Sequence, residues 1–168
     1  DVRIAQNALR EYNIAFTVLV DTRDFVRLLA EEELQVDLVN DRVPRYGTTN
    51  NGPNPIRLDN VKNILANKIG AILGRDEPKD VFDLYLGARI RYFSWDEILT
   101  AASAKAVLEE EELHYRLEAF PLSLLDALRV RDTRFVEELK RDYKNLCADL
   151  LGHRENSVAA SGPPENRR

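Results

Sequence analysis

The stretch NKIGAILGRDEPKDVFDLY, residues 67–85, decides the fold of this 168-residue chain. It reads as the end of one helix, the short connection GRDEP and the beginning of a second helix. The first helix is predicted over residues 59–74, with Asp59 as its N-cap. The second is predicted over residues 78–92 and has Pro78 in its first turn, where proline is tolerated. The stretch therefore predicts a helical hairpin.

Lys68 lies in the middle of the apolar stripe of the first predicted helix. At about 100° per residue, the stripe contains Val61, Ile64, Leu65 and Ile72. An ammonium group in apolar surroundings requires a carboxylate or a bound anion, because an unpaired buried charge is costly. Lys68 is either directed at nucleotide phosphates, or it is a snorkelling lysine or part of a structural ion pair. Spacing alone slightly favours the structural interpretation.

The second predicted helix has two aspartates on one face, Asp80 and Asp83, at positions i and i+3. Like charges at this spacing repel each other, so nearby cations usually compensate them. Arg75 and Lys79 are close enough in sequence to do so, and Lys68 can reach across from the first helix. The structural alternative is that the helix dipole alone favours aspartates near the N-terminus. That alternative is stronger for Asp80, in the first turn, than for Asp83.

The N-terminal part of the chain predicts a short helix followed by strands. Residues 2–12 have helical apolar spacing, and residues 14–21 are β-branched and aromatic, as in a strand. The apolar runs 25–30 and 34–41 flank Glu31–Glu33, which indicates an antiparallel hairpin. Asp37 stands in the middle of the last strand, where aspartate is disfavoured. It is either on the solvent-facing side of a half-buried sheet, or a metal-linked carboxylate or proton acceptor.

These elements predict an α+β fold, a small antiparallel or mixed sheet followed by a helical bundle. We expect residues 1–58 to form the α/β region, including a long Pro/Gly-rich loop at 42–58. Such a loop is either functional or merely a flexible crossover. Residues 59–152 are predicted to form the helical domain, and residues 153–168 a flexible tail.

Composition narrows the function classes. The net charge of −5 argues against a dedicated nucleic-acid binder, which usually has a basic surface. The single cysteine, Cys147, cannot form an internal disulfide, and no apolar run has the length of a membrane span. A cytoplasmic protein with no membrane partner is therefore expected. The chain begins at Asp1 and has no methionine, which predicts a fragment, a processed product or a renumbered sequence.

The order of these elements, together with LANKIGAILGRDEPKDVFDLYLGAR at residues 65–89, resembles the AbiEii/AbiGii toxin family. This family belongs to the polymerase-β-like nucleotidyltransferase superfamily, and the resemblance covers roughly residues 2–92. It implies nucleotidyl transfer from a nucleoside triphosphate in a magnesium-dependent site with two carboxylates. It also implies a toxin–antitoxin or phage-defence context, an antitoxin as a partner and RNA as a possible acceptor.

The resemblance assigns roles to individual residues. Asp37 matches the third acidic position of the superfamily's active site and is the expected metal ligand. Lys68 matches the lysine that contacts the nucleotide, with Arg75 and Lys79 as further nucleotide-binding residues. Either Asp83 or Asp80 matches the aspartate of the last motif.

The sequence departs from the superfamily in its first motif. A Gly-Ser turn followed by an Asp-x-Asp strand is expected before Asp37, yet no glycine occurs before Gly47. We therefore expect the first 58 residues to be a partial, N-terminally truncated nucleotidyltransferase region, and this chain to be catalytically incomplete. The alternative is a catalytically inactive homologue that acts as a protein-binding module.

Overall fold

The structure is a computed structural model that describes residues 2–53 and 56–160. The fold is α+β, as predicted, and its sheets are antiparallel throughout these described residues. The elements, in chain order, are α1 (Val2–Glu11), β1 (Phe16–Asp21), β2 (Phe25–Ala30), β3 (Leu34–Val39), β4 (Asn50–Asn51), β5 (Arg57–Leu58), α2 (Val61–Gly74), α3 (Pro78–Ile90), α4 (Trp95–Ser103), α5 (Glu110–Ala119), a 3₁₀ helix (Leu122–Ala127) and α6 (Arg134–Leu151).

The chain divides into two compact units, residues 1–43 and residues 44–168. The division lies after Val43, whereas the sequence predicts a boundary after residue 58. The difference concerns the Pro/Gly-rich connection, most of which belongs to the second unit.

The first unit contains α1 and a three-stranded sheet in the order β1-β2-β3. The predicted hairpin is confirmed, with Phe25 opposite Val39 and Ala30 opposite Leu34. Its turn includes Glu31 at φ 50° and Glu32 at φ 59°, a left-handed conformation in which a non-glycine residue is strained.

One face of β2 is buried and the other is half-buried, because side chains alternate along a strand. The buried side chains are Val26, Leu28 and Ala30. Arg27 lies on the opposite face and is directly across from Asp37 of β3. The sheet therefore places Asp37 on its more exposed face.

The second unit is helical, and its core is formed by apolar side chains from every helix of that unit. The largest fully buried ones are Leu65, Ile69, Leu84, Tyr85, Trp95, Ile98, Leu113, Leu117, Leu125, Leu139 and Leu146. α2 and α3 pack closely, since a methyl group on Gly87 would lie 2.7 Å from Cδ2 of Leu65. Gly87 thus allows the two helices of the predicted hairpin to approach.

α2 begins one residue later than predicted. Its N-cap is Asn60, whose side chain accepts a hydrogen bond from the backbone N–H of Asn63 at 2.8 Å. Asp59 instead accepts a hydrogen bond from the side-chain amide of Asn63. The prediction of Asp59 as the N-cap was wrong. Asp59 and Asn60 are both favourable N-cap residue types, and only the local backbone conformation decides between them.

The described part of the long connection is held to the start of α2. The amide of Asn60 donates to the carbonyls of Tyr46 and Thr48, at 2.8 and 3.0 Å. The backbone N–H of Tyr46 donates to the side chain of Asn63, and β4 pairs with β5. Outside residues 54 and 55, which are not described, the connection is a hydrogen-bonded segment rather than a flexible crossover.

Residues 153–160, which the sequence analysis assigns to a flexible tail, contact the helices in the structure. Asn156 is fully buried, and its amide donates to the carbonyls of Ala88 and Arg91 at 2.6 and 2.8 Å. The backbone N–H of Trp95 donates to the carbonyl of Arg154. A polar segment can be well ordered when it supplies hydrogen bonds to helix ends, which its composition does not reveal. The rest of the predicted tail, residues 161–168, lies outside the described residues.

In the part of the chain that the structure describes, no helix has both the length and the apolar character needed to cross a membrane.

Candidate functional site

The α2–α3 hairpin brings five charged residues together. Helical spacing puts Lys68 on the side of α2 that packs against α3, and puts Asp80 and Asp83 one turn apart on α3. Arg75, in the connection, and Lys79, in the first turn of α3, complete the group. We call these five residues the hairpin cluster. The hairpin cluster contains every predicted site residue of the second unit; Asp37 belongs to the first unit.

Asp80 is the buried centre of the hairpin cluster, with 1% of its side chain exposed. Its Oδ1 accepts a hydrogen bond from Nζ of Lys68 at 2.8 Å. Arg75 donates from Nε to Oδ2 at 2.7 Å and from Nη2 to Oδ1 at 3.1 Å. Burial opposes ionisation, but the hydrogen bonds from Arg75 and Lys68 outweigh it and hold the pKa of Asp80 below its usual value. Asp80 is therefore a buried carboxylate, and not the surface residue that the helix-dipole interpretation required.

Lys68 lies between the two aspartates of α3. Its Nζ is 2.8 Å from Oδ1 of Asp80 and 2.7 Å from Oδ2 of Asp83, and 21% of its side chain is exposed. Burial disfavours its charged form, but hydrogen bonds to Asp80 and Asp83 raise its pKa overall. An ammonium has three N–H donors, and two are directed at these carboxylates. The third can donate to an acceptor that enters from solvent.

The outer part of the hairpin cluster is cationic and accessible. Lys79 has 65% of its side chain exposed, and its Nζ is 2.8 Å from Oδ2 of Asp83. Arg75 has 62% of its side chain exposed although it contacts the buried Asp80. Both cations can therefore meet an anionic ligand without a rearrangement of the helices.

Asp37 belongs to the first unit, and its side-chain partners come from the strands of that unit. Arg27 donates to Oδ1 from Nε at 2.7 Å and to Oδ2 from Nη2 at 2.9 Å. Gln35 adds a third hydrogen bond at 3.1 Å. The hydrogen bonds from Arg27 lower the pKa of Asp37. This geometry agrees with the solvent-facing interpretation of Asp37.

The described residues do not fit a magnesium site. Residues 2–53 and 56–160 contain no group of three or more His, Cys, Asp or Glu side chains that could hold a metal ion. Both oxygens of Asp37 accept from Arg27, and both oxygens of Asp80 accept from cations. Magnesium requires free carboxylate oxygens and is repelled by a neighbouring ammonium or guanidinium group. No catalytic step through a metal is derived from these residues.

Next to the hairpin cluster lies a groove that the sequence analysis did not identify. It has a volume of about 530 Å³ and runs between α3 and the segment that connects the 3₁₀ helix to α6. We call it the α3 groove; its principal lining residues are Lys79, Phe82, Leu86, Arg129, Arg131 and Phe135. The signal available in the sequence was LRVRDTRF at residues 128–135, where arginines are interspersed with apolar residues.

A family model described as "Nucleotidyl transferase AbiEii toxin, Type IV TA system" matches residues 13–164. The match confirms the family that the sequence analysis identified, and it extends through the helical unit. The description implies a nucleotide as the substrate and an antitoxin as the partner. No curated protein and no solved structure matches the chain.

Proposed function

Since the chain belongs to the AbiEii family of nucleotidyltransferase toxins, we propose that its hairpin cluster binds the triphosphate of a nucleoside triphosphate. The observation that carries this proposal is the position of Lys68. Its ammonium is held between Asp80 and Asp83 and is still partly exposed. Two of its N–H donors face these carboxylates, and the remaining one is available to a phosphate oxygen.

The chemistry of nucleotidyl transfer gives each residue of the hairpin cluster a role. The triphosphate carries several negative charges, and cations positioned around it stabilise the charge that develops on the leaving pyrophosphate. Lys68 donates its third N–H to a phosphate oxygen. Asp80 is a positioning residue that holds Lys68 and Arg75, and Asp83 does the same for Lys68 and Lys79.

Exchange of partners at the rim of the cluster is inexpensive. Exposed ion pairs contribute only about 0–1 kcal/mol, so Lys79 can leave Asp83 for a phosphate oxygen at little cost. Lys68 and Arg75 both hold the buried Asp80 and keep their places, with the outer N–H groups of Arg75 open to solvent. The cluster therefore combines two fixed cations with one adaptable one.

Nucleotidyltransferase families generally use divalent metals, and we propose magnesium as the metal of the complete reaction. The role of Asp37 as its ligand stays a prediction, and it requires Arg27 to release the carboxylate. Because the described residues do not provide the metal ligands, we propose that this chain binds the nucleotide and does not turn it over. The cytoplasm, a phage-defence setting and an RNA acceptor likewise stay predictions of the sequence analysis.

Calorimetric titration of the chain with each of the four ribonucleoside triphosphates tests the proposal. Lys68→Ala removes one charge-assisted contact, which is worth about 1.5–3 kcal/mol, so we expect affinity to fall tenfold or more. Lys79→Ala, at an exposed position, is expected to weaken binding without disturbing the fold.

The matched control is Lys62→Ala. Lys62 also lies on α2 and also pairs with a carboxylate, that of Glu97, but it is outside the hairpin cluster. Near-UV circular dichroism of each variant checks that the fold is kept. The proposal is refuted when no triphosphate binds the parent chain, or when the Lys68 and Lys79 variants bind as well as the Lys62 variant does.

A catalytically inactive, protein-binding homologue is the second candidate. It is favoured by the ion pairs that already neutralise the charges of Asp80 and Asp83 in the hairpin cluster. It is also favoured by the absence of a group of metal-binding side chains among the described residues. This candidate predicts no triphosphate binding by the parent chain, so the same titration separates the two.

A further inference from the structure

The α3 groove has the size and lining of a small-molecule site. Its volume of about 530 Å³ lies within the range of about 300–1,000 Å³ that is usual for ligand pockets. Apolar atoms form most of its surface, with Phe82 buried in the floor and Leu86 and Val130 half-buried beside it. A site of this kind accepts a flat, weakly polar group.

Phe135 offers an aromatic surface at the edge of the α3 groove. It is the second residue of α6, and 37% of it is exposed. A large exposed aromatic side chain beside an apolar pocket provides a stacking platform for a nucleobase, because every base has a π-face.

One side of the rim of the α3 groove is cationic. Arg129 and Arg131 are both exposed, and among residues 2–53 and 56–160 neither forms an ion pair with a carboxylate. Of the three carboxylates in the lining, Asp132 is paired with Arg134 at 2.7 Å, Asp83 is paired with Lys68 and Lys79, and Glu77 lies at the start of α3. The side of the rim formed by Arg129 and Arg131 is therefore complementary to an anionic group.

The α3 groove is continuous with the hairpin cluster. Lys79 and Asp83 line the groove, and the same Asp83 is in contact with Lys68. A ligand with phosphates on Lys68 and Lys79 would carry its remaining atoms along α3, past Phe82, towards the aromatic edge.

We propose that the α3 groove receives the base and ribose of the nucleoside triphosphate whose phosphates contact the hairpin cluster. Phe135 stacks on the base, and the guanidinium groups of Arg129 and Arg131 contact the ribose and the phosphate nearest to it. This assignment rests on the proposed function and adds the residues that distinguish a nucleotide from a bare polyphosphate.

The test compares inorganic tripolyphosphate with the four ribonucleoside triphosphates by calorimetry on the full chain. We expect at least one nucleotide to bind about tenfold more tightly than tripolyphosphate, as the loss or gain of one stacked base implies. Phe135→Ala should remove that difference and leave the affinity for tripolyphosphate unchanged. Arg131→Ala should weaken nucleotide binding severalfold.

Two matched variants control for general effects. Tyr115→Ala removes an exposed aromatic side chain from α5, and Arg91→Ala removes an exposed arginine at the C-terminal end of α3; neither residue lines the groove. Both should bind nucleotide as the parent chain does.

The outcomes separate this inference from the proposed function. If tripolyphosphate binds and depends on Lys79, but Phe135→Ala and Arg131→Ala leave nucleotide affinity unchanged, the groove assignment is overturned and the hairpin cluster stands. If neither tripolyphosphate nor any nucleotide binds, both proposals are overturned.

Discussion

Replacement of Asp80 by asparagine tests whether the hairpin cluster is held by its buried carboxylate. Asn has nearly the same shape as Asp, so the substitution removes the charge and leaves the packing of α3 intact. In the parent chain, Asp80 is 1% exposed and accepts hydrogen bonds from Lys68 and, through two nitrogens, from Arg75. In the variant one carboxylate oxygen becomes an NH2 group, which cannot accept, so at least one of these hydrogen bonds is lost and the others lose their anionic acceptor.

The expected cost differs between the two cations. Arg75 is 62% exposed, so water can replace its lost partner, and its share is only about 0–1 kcal/mol. Lys68 is 21% exposed and loses one of its two carboxylates, for which about 1.5–3 kcal/mol is typical. The sum is about 1.5–4 kcal/mol. It is below the full cost of an isolated buried charge, about 3–5 kcal/mol, because Asp83 remains beside Lys68.

Urea unfolding followed by tryptophan fluorescence measures this change in the right part of the chain. Trp95 is the single tryptophan, is fully buried and belongs to the helical unit that contains Asp80. Lys79→Met is the matched control, since its ion pair with Asp83 is exposed and should contribute less than about 1 kcal/mol. A loss for Asp80→Asn below about 1 kcal/mol, or no larger than that of the control, would refute the reasoning.

The pH dependence provides an independent check. The folded pKa of Asp80 is lowered from its ordinary value of 3.8, because hydrogen bonds from Arg75 and Lys68 outweigh its burial. Stabilisation from a carboxyl with a lowered pKa is fully present above the unfolded value and is lost as pH falls through the folded one. The stability difference between the parent and Asp80→Asn should therefore be constant from about pH 7 to pH 5 and should narrow below about pH 4. A difference that stays constant down to pH 2 contradicts the assignment.

Three further predictions concern the packing and the backbone. Gly87→Ala should lower the free energy of unfolding by about 1–3 kcal/mol in urea titrations, because the added methyl group would lie 2.7 Å from Leu65. Gly70→Ala, in open space on α2, is the control and should raise the free energy of unfolding by about 0.5–1 kcal/mol. Equal effects of the two substitutions would contradict the close approach of α2 and α3. Glu32→Gly should raise the melting temperature of the first unit, because glycine relieves the strain at φ 59°. Circular dichroism measures this temperature, and a decrease would show that the turn is unstrained. Hydrogen bonds to the carboxylates of Asp96 and Glu110 raise the pKa of His153, so its contribution to stability is full below its unfolded pKa of 6.5 and is lost as pH rises through the folded value. His153→Gln should flatten this part of the plot of unfolding free energy against pH. An unchanged slope would contradict the prediction.

Local periodicity explains why most helices and strands were predictable. The apolar runs at residues 25–30 and 34–41 and the apolar stripe of α2 depend only on neighbours in sequence, and the structure confirms the elements that they predict. The charge balance of the hairpin cluster was partly predictable for the same reason. Arg75 and Lys79 are within five residues of the aspartates that they contact.

Features that depend on distant residues were not predictable. The order of residues 153–160 comes from hydrogen bonds to Ala88 and Arg91, more than sixty residues earlier in the chain. A polar composition is compatible with either a free or a hydrogen-bonded segment, so the sequence pattern cannot distinguish them. The α3 groove was missed for a similar reason, because α3 and the segment before α6 form it together.

The motif at residues 67–85 by itself determined the helical hairpin and the family, because both depend on residue types at fixed short spacings. Tertiary structure alone decided that Asp80 is buried, that Lys68 is shared by two carboxylates and still meets solvent, and that the hairpin cluster opens onto an apolar groove. Burial and shared partners depend on how α2, α3 and the segment before α6 pack in three dimensions. Spacing along one helix places a charge on a face, but only the neighbouring elements determine what that face meets.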